Sequence, residues 1–408
     1  MRLPCLLLVG SLTACLAQPA TAFAQDPAAD AAAGAASARF HLGPLGWSPM
    51  LTMGNLGVNT NVFSTPTDPT RDFTVSFVPS TQEWLPVGPL LFSGTTGVPL
   101  TYFQKAVTQR SVGFQQQGRV SLNLVHLVPY GSLAYGSTDD QPNAEISVRV
   151  QQVVKTATAG AILRISTRTS LDANYTDGSL EYPNAEVFDA NIGAQLNRRT
   201  TAMALTFRTA LTPLTSLVVK SVLGRDRFDN NPLLNTNSVT VLPGLEFKKD
   251  ALLSGSVSLG VRALRPLSPL VPPFTGLVGS AALSWLARET TRLDGRFDRN
   301  VDYSIDETTP YYVTTGGSVS LTQMVVGHVD AMTTVGRSIL AYRNALSVPG
   351  TPALGRDDRT STIGGGLGYR FRIDARLGFN ITHVTRLSAL DGRPYAGYQF
   401  GGTMTYGF

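Results

Sequence analysis

Cysteine is almost missing from this chain of 408 residues, and the two present, Cys5 and Cys15, both lie near its start. A disulfide framework is therefore excluded for the body of the protein, and so is a cysteine metal site. Histidine is scarce as well: His41, His126, His328 and His383 are the four. No two share metal-ligand spacing, and His328 with Asp330 is the nearest approach to a pair. A zinc centre or a hydrolase triad is not expected, and neither is any cofactor or enzymatic activity. Charged residues make up only 15%, against about 25% in ordinary soluble proteins. Yet after the leader no apolar run reaches the roughly 18 residues of a spanning helix. No basic run offers a grip on nucleic acid, and the net charge is a modest +5.

Low charge without long apolar runs leaves one arrangement, in which apolar residues are spread by alternation. The segment Thr290–Ile305 shows it. Thr290, Arg292, Asp294, Arg296, Asp298, Asn300, Asp302 and Ser304 are all polar; between them come Leu293, Phe297, Val301, Tyr303 and Ile305, with Arg299 as the exception. A period of two means a β-strand with unlike faces. A long strand with so many charges on one side suits a barrel with lipid outside and water inside.

The same alternation recurs backward from the C-terminus and predicts an all-β, transmembrane antiparallel up-and-down β-barrel of about 18 strands, with 16 as the alternative. Short turns near Arg372, Met324, Arg288, Lys249 and Pro213 alternate with longer polar or Pro-rich loops, of which Tyr342–Arg359 is the longest. Bacterial barrels carry short periplasmic turns and long outer loops. Pro183–Asn197 has Phe188, Ile192 and Leu196 at four-residue spacing, which suits a short helix in one such loop. Upstream, polar residues occupy odd positions at Glu145, Ser147, Arg149 and Gln151 but even ones at Arg164, Ser166 and Arg168. One long strand with a β-bulge between Lys155 and Thr158 accounts for the switch, since a bulge flips the face. A turn there would change the strand count.

The N-terminus reads as an export segment. Arg2 carries the charge, Leu3 to Leu16 form the apolar region, and Ala22-Phe23-Ala24 is an A-x-A cleavage site. Leu12-Thr13-Ala14-Cys15 also reads as a lipobox, which would lipidate Cys15; both routes remain open. The domain plan is thus a signal peptide over 1–24, a flexible periplasmic leader over 25–46 and a barrel over 47–408, with a bacterial outer membrane as the destination.

Several short motifs carry a family resemblance: Asn59-Thr60-Asn61-Val62-Phe63, Gly224-Arg225-Asp226-Arg227-Phe228, Gly244-Leu245-Glu246-Phe247, the stretches over 253–267 and 298–304, Tyr311 to Gly317, and Gly364 to Arg370. In this order the chain resembles the β-barrel porin 2 family, whose members often accompany exopolysaccharide synthesis and export. The resemblance implies a pore for a secreted exopolysaccharide or capsular polysaccharide, with a periplasmic export protein as a candidate partner. It supplies no catalytic residue. A structural or docking barrel and a small-solute diffusion porin are the alternatives.

Alternation places Arg119, Arg149, Arg164, Arg168, Arg208, Arg262, Arg288, Arg292, Arg296, Arg370, Arg372 and Arg376 on the lumen wall. Glu145, Glu246, Asp294, Asp298, Asp302 and Asp374 share those faces. Arginine forks suit an anionic sugar polymer, and they equally suit cross-strand pairing with acids. Asp226, Asp229, Asn230 and Asn231 read as loop formers rather than calcium ligands. Tyr406 and Phe408 end the last strand on its lipid face and resemble the signal read by the barrel-assembly machinery, the other expected partner beside outer-membrane lipid.

Overall fold

The computed structural model describes residues 34–183, 186–187, 190–248, 251–288, 290–306, 309–342, 355–372 and 374–407. The expected signal peptide and Phe408 lie outside the described residues, as do Phe188 and positions 343–354 of the longest loop. The chain forms a closed antiparallel barrel of 18 strands. They are β1 (Leu45–Asn59), β2 (Asp72–Val87), β3 (Leu90–Gly97, continuing as Leu100–Phe103), β4 (Ser111–Val112, continuing as Phe114–Leu122), β5 (Leu127–Asp140) and β6 (Val150–Arg164). Then come β7 (Thr169–Glu181), β8 (Arg198–Thr212), β9 (Thr215–Phe228), β10 (Thr236–Phe247), β11 (Leu253–Pro266) and β12 (Phe274–Ala287). The last six are β13 (Thr291–Tyr303), β14 (Tyr311–Val326), β15 (Val329–Tyr342), β16 (Arg356–Arg372), β17 (Ala375–Leu387) and β18 (Tyr395–Gly407). Each pairs with its chain neighbour, and β1 closes on β18 through Met50↔Gly407 to Asn59↔Gln399.

Closure leaves no sheet edge, which is what a strand structure needs in hydrocarbon. Large apolar side chains of one parity stand exposed around the wall, among them Met203 at 58%, Leu259 at 55% and Val319 at 52%. In water so much exposed apolar surface would be costly; against lipid it is the outer face. The opposite parity carries most of the strand charges and faces in. Among the described residues no helix is long and apolar enough to cross a membrane.

Three expectations need correction. β6 pairs without a register break with β5 and with β7, so there is no bulge between Lys155 and Thr158. The parity change is instead a change of element: Glu145, Ser147 and Arg149 precede β6 and belong to a loop that turns inward. A one-residue bulge does exist in β1, at Met53–Leu56, where Asn55 takes a positive φ of 55°. Second, the described part of the expected leader, residues 34–46, is structured. Residues 34–36 form a helical turn, and Phe40–Leu42 pairs back on Leu45–Trp47. That segment packs at the inner side of the short-turn end, where a Cβ on Gly34 would meet the Trp84 ring, and Arg39 pairs with Asp374.

The third correction concerns the tip of the β13–β14 hairpin. Pairing of β12 with β13 stops at Gly279↔Arg299, although both strands run on. Beyond that point Val301, Tyr303 and Tyr311 pack on the inward-facing Leu264, Phe274 and Phe228. Val301, expected to face lipid, is 5% exposed inside the barrel. Arg299 now has a reason. Its Nε donates to the Leu277 carbonyl (3.1 Å) and its Nη1 to Thr315 Oγ1 (2.6 Å), filling the ladder position that the departing strand leaves open. The short helix expected before Asn197 is α1 (Ile192–Leu196), capped by Asn191, whose side chain accepts from the Ala194 N–H at 2.9 Å.

Candidate functional site: the lumen and the loop that crosses it

The segment between β5 and β6 begins with a turn signal, Pro142-Asn143. Asn143 Oδ1 accepts the N–H groups of Glu145 (2.9 Å) and Ile146 (3.0 Å), curling the chain inward. Glu145 and Ile146 are fully buried. Their partners lie on the far side of the barrel, so the segment crosses the lumen at the long-loop end. Ile146 joins a core with Tyr182, Ile192, Leu196, Phe228, Tyr303 and Ile305.

Glu145 is the centre of a clasp. Its Oε1 lies 3.0 Å from Arg393 Nη1 and 3.8 Å from Arg356 Nη2, and accepts from Ser304 Oγ at 3.1 Å. Oε2 accepts from the Ile305 N–H at 2.9 Å. Arg386 of β17 donates to the Glu145 carbonyl and to Ser147 Oγ, both at 2.8 Å, while its Nη2 holds Asp358 at 2.8 Å. Arg356 reaches Asp306 at 3.1 Å and stacks over the Tyr342 ring at 3.8 Å. At the loop's other end Arg149 donates to the Asp139 carbonyl, Thr101 Oγ1 and Ser111 Oγ. Burial pushes its guanidinium below the ordinary arginine value, with Asp140 and Asp139 opposing.

Below the clasp the wall is paired in most places. Asp330, fully buried, takes Arg370 Nε at 2.7 Å and Arg376 Nη2 at 2.7 Å. Arg208 holds Glu246 at 3.1 Å, Arg262 donates to Asn300 at 3.0 Å, and Arg292 holds Asp294 at 2.9 Å. Arg119 stacks over Tyr130, whose hydroxyl donates to Asp172 at 2.9 Å. Arg296 and Asp298 face the lumen with no hydrogen bond or ion pair between described residues.

The remaining lumen candidates, Asp302 at the long-loop end apart, sit at the short-turn edge. Arg164 ends β6 and donates to the Leu124 carbonyl at 3.3 Å. Arg168 lies in the turn before β7, and Arg288 occupies a turn with φ of 50°, so neither is a wall residue. Arg372 closes β16 at a register irregularity, and Asp374 is in the following turn. Asp302 accepts from Thr314 Oγ1 at 2.9 Å. Tyr406 is an outward residue opposite Leu51.

Sequence reading missed Arg356, Asp358, Arg386 and Arg393, because the Glu145 segment that this group holds lies far away in the chain, 241 residues from Arg386 and 248 from Arg393, and leaves no local signal. The Pro142-Asn143 turn was the one clue to the loop. Among the described residues no group of three His, Cys, Asp or Glu side chains could hold a metal ion. Asp226 is instead engaged with Thr200 and Tyr303, and His383 stacks on Tyr398 on the outer face. A hollow of about 750 Å³ also exists, but it lies on the outer wall, among Phe92, Gly94, Gly118, Leu133, Ala157 and Tyr175.

Two solved structures share this fold, and a third is less similar. Pseudomonas aeruginosa OccK2 (OpdF) has a TM-score of 0.50 and 10% identity over 89% of this chain and 97% of its own. Acinetobacter baumannii OccAB2 gives 0.50 and 10% over 89% and 98%. The FrpB iron transporter from Neisseria meningitidis gives 0.42 and 9%, with 84% of this chain covering 62% of that longer one. No curated protein matches the sequence. A family model described as Putative beta-barrel porin 2 matches residues 106–405, from the loop before β4 almost to the end of β18. With that match over most of the strands, the chain belongs to the Putative beta-barrel porin 2 family, outer-membrane β-barrels of porin-like fold.

Proposed function

We propose that this barrel is an outer-membrane pore for an anionic polysaccharide, closed at its outer mouth by the loop 141–149. The observation that carries the reading is the clasp. Glu145 is a carboxylate supplied by the protein to Arg356 and Arg393 inside the lumen. A uronic-acid polymer presents the same group in series and can compete for the same guanidinium forks. Binding the arginines would release the loop, so ligand and opening are coupled. No catalytic step is part of this reading.

The test is planar-bilayer conductance of the purified barrel. Glu145→Gln removes the charge that seats the loop, and this variant is expected to stay open for a larger share of time than wild type. An oligouronate should block the open current and a neutral oligosaccharide of equal length should not. Equal open times in both proteins would sink the gating role. Silence in both would favour a second reading, which the buried clasp also suits: a filled barrel that docks a periplasmic export protein.

Orientation is checked separately. Gly355 precedes β16 at the long-loop end. A cysteine there should react with an impermeant maleimide on intact cells. Reaction only after the outer membrane is opened would turn the barrel over.

A further inference from the structure

The outer wall has an uneven distribution of charge. Among the described strand residues, outward-facing arginines occur only in the half toward the long loops, at Arg199, Arg225, Arg227, Arg265, Arg337 and Arg359 among others. Toward the short turns, no strand lysine or arginine among the described residues faces out.

They are densest on β8 to β11. Arg199 stands directly opposite Arg227 across the ladder. Arg225 stands opposite Asn237, which stands opposite Arg265. Like charges facing each other across strands repel. Arg199 is neutralised by a two-point pair with Asp177 at 2.8 Å, and Arg227 by the Asp226 and Thr236 carbonyls and Asn237 Oδ1, each at 2.8 Å. Arg225 and Arg265 are exposed and have no hydrogen bond or ion pair with described residues. Their backbones are two strands apart, about 10 Å, so both forks can converge on one anion above Asn237. The Asn237 Oδ1 is taken by Arg227, which leaves its Nδ2 as a third donor to that point.

What lies beneath decides the class of ligand. One step toward the short turns on the same outer face stand Leu223 at 56% exposure and Val239 at 43%, with Val261 at 46% two steps down on β11. The surface is cationic above and apolar below, within the span of one lipid molecule. We propose that Arg225, Arg265 and Asn237 bind the phosphate of a lipid headgroup in the leaflet next to the long loops, with its acyl chains on Leu223, Val239 and Val261. Arginine suits this role because its planar fork meets phosphate oxygens two at a time. The site is independent of the lumen and of what passes through it.

The experiment uses the full barrel in detergent and native mass spectrometry. The probes are a diphosphorylated lipid A, the same lipid dephosphorylated, and inorganic phosphate. Wild type should hold the phosphorylated lipid in preference, and millimolar inorganic phosphate should not displace it. Arg225→Gln with Arg265→Gln should lower that binding by about tenfold or more, since two charge-assisted contacts are lost. Arg288→Gln, the same charge removed at the opposite end, should leave it unchanged. Heat-modifiable migration on gels checks folding. If the double variant does not fold, Arg265→Lys alone is read, with a severalfold loss expected because it keeps charge and loses the fork. Equal binding of the dephosphorylated lipid, ready displacement by inorganic phosphate, or an equal loss in Arg288→Gln would each overturn the site.

Discussion

Arginine at position 297 is expected to cut the folded, membrane-inserted fraction sharply. Phe297 lies at the middle of β13, is 40% exposed and faces outward between Leu293 and Arg299. An arginine at the hydrocarbon midplane of a barrel wall costs roughly 2–4 kcal/mol. Arg299, two residues on, is tolerated because a backbone carbonyl and a hydroxyl receive it; position 297 is opposite Ala281 and Gly317, which offer no side-chain acceptor. Arg296→Glu is the paired control. It stays in the lumen, loses no ion pair and should fold close to wild type. If that pore conducts, the change should shift its ion preference toward cations. Urea unfolding in lipid vesicles measures the first effect, and reversal potential measures the second. Normal folding of Phe297→Arg together with failure of Arg296→Glu would invert the assignment of faces.

The other large effect belongs to Asp330. This carboxylate is fully buried on β15 and accepts from Arg370 and Arg376, which stand opposite each other on β16 and β17. Asp330→Ala leaves two guanidinium groups side by side with no counter-charge in a poorly hydrated part of the wall. Removing one partner of a buried pair typically costs about 3–5 kcal/mol, much of it the penalty of the orphaned charge. Unfolding should show a loss in that range. Asp330→Leu with Arg370→Met and Arg376→Met should recover most of it, since a matched apolar set has nothing to orphan. A triple variant no better than Asp330→Ala would mean that the carboxylate acts through something other than charge balance.

Strand arrangement was legible because alternation is imposed locally. Each residue of β13 from Arg292 to Asp298 faces lipid or lumen according to its own side chain, and that needs no knowledge of partners. The lumen was less legible. Asp330 reaches residues 40 and 46 positions ahead, and only the register of two hairpins brings them together. Glu145 was assigned to a strand because Glu145, Ser147 and Arg149 alternate by coincidence with apolar neighbours; inside a lumen those apolar neighbours, Ile146 and Val148, pack on other loops rather than lipid. Val301 and Tyr303 failed for a related reason. A strand tip that leaves its neighbour and leans inward still has two faces, but both are then inside the barrel.

The crossing loop also has a place in time. Its anchors come from far along the chain: Ser304 is 159 residues ahead of Glu145, and Arg393 is 248 ahead. Contacts so distant in sequence pay a closure cost before they return anything, and form late. Until β16 and β17 are in position, Arg356, Arg386 and Asp358 do not exist for the loop to hold. A barrel still being stitched together therefore has an unlatched mouth, and the latch drops only as the final strands approach β1. On the gating reading proposed above, completion of the wall and seating of the crossing loop are in this way one event, and a chain lacking its last hairpin lacks Arg393, one of the groups that hold Glu145.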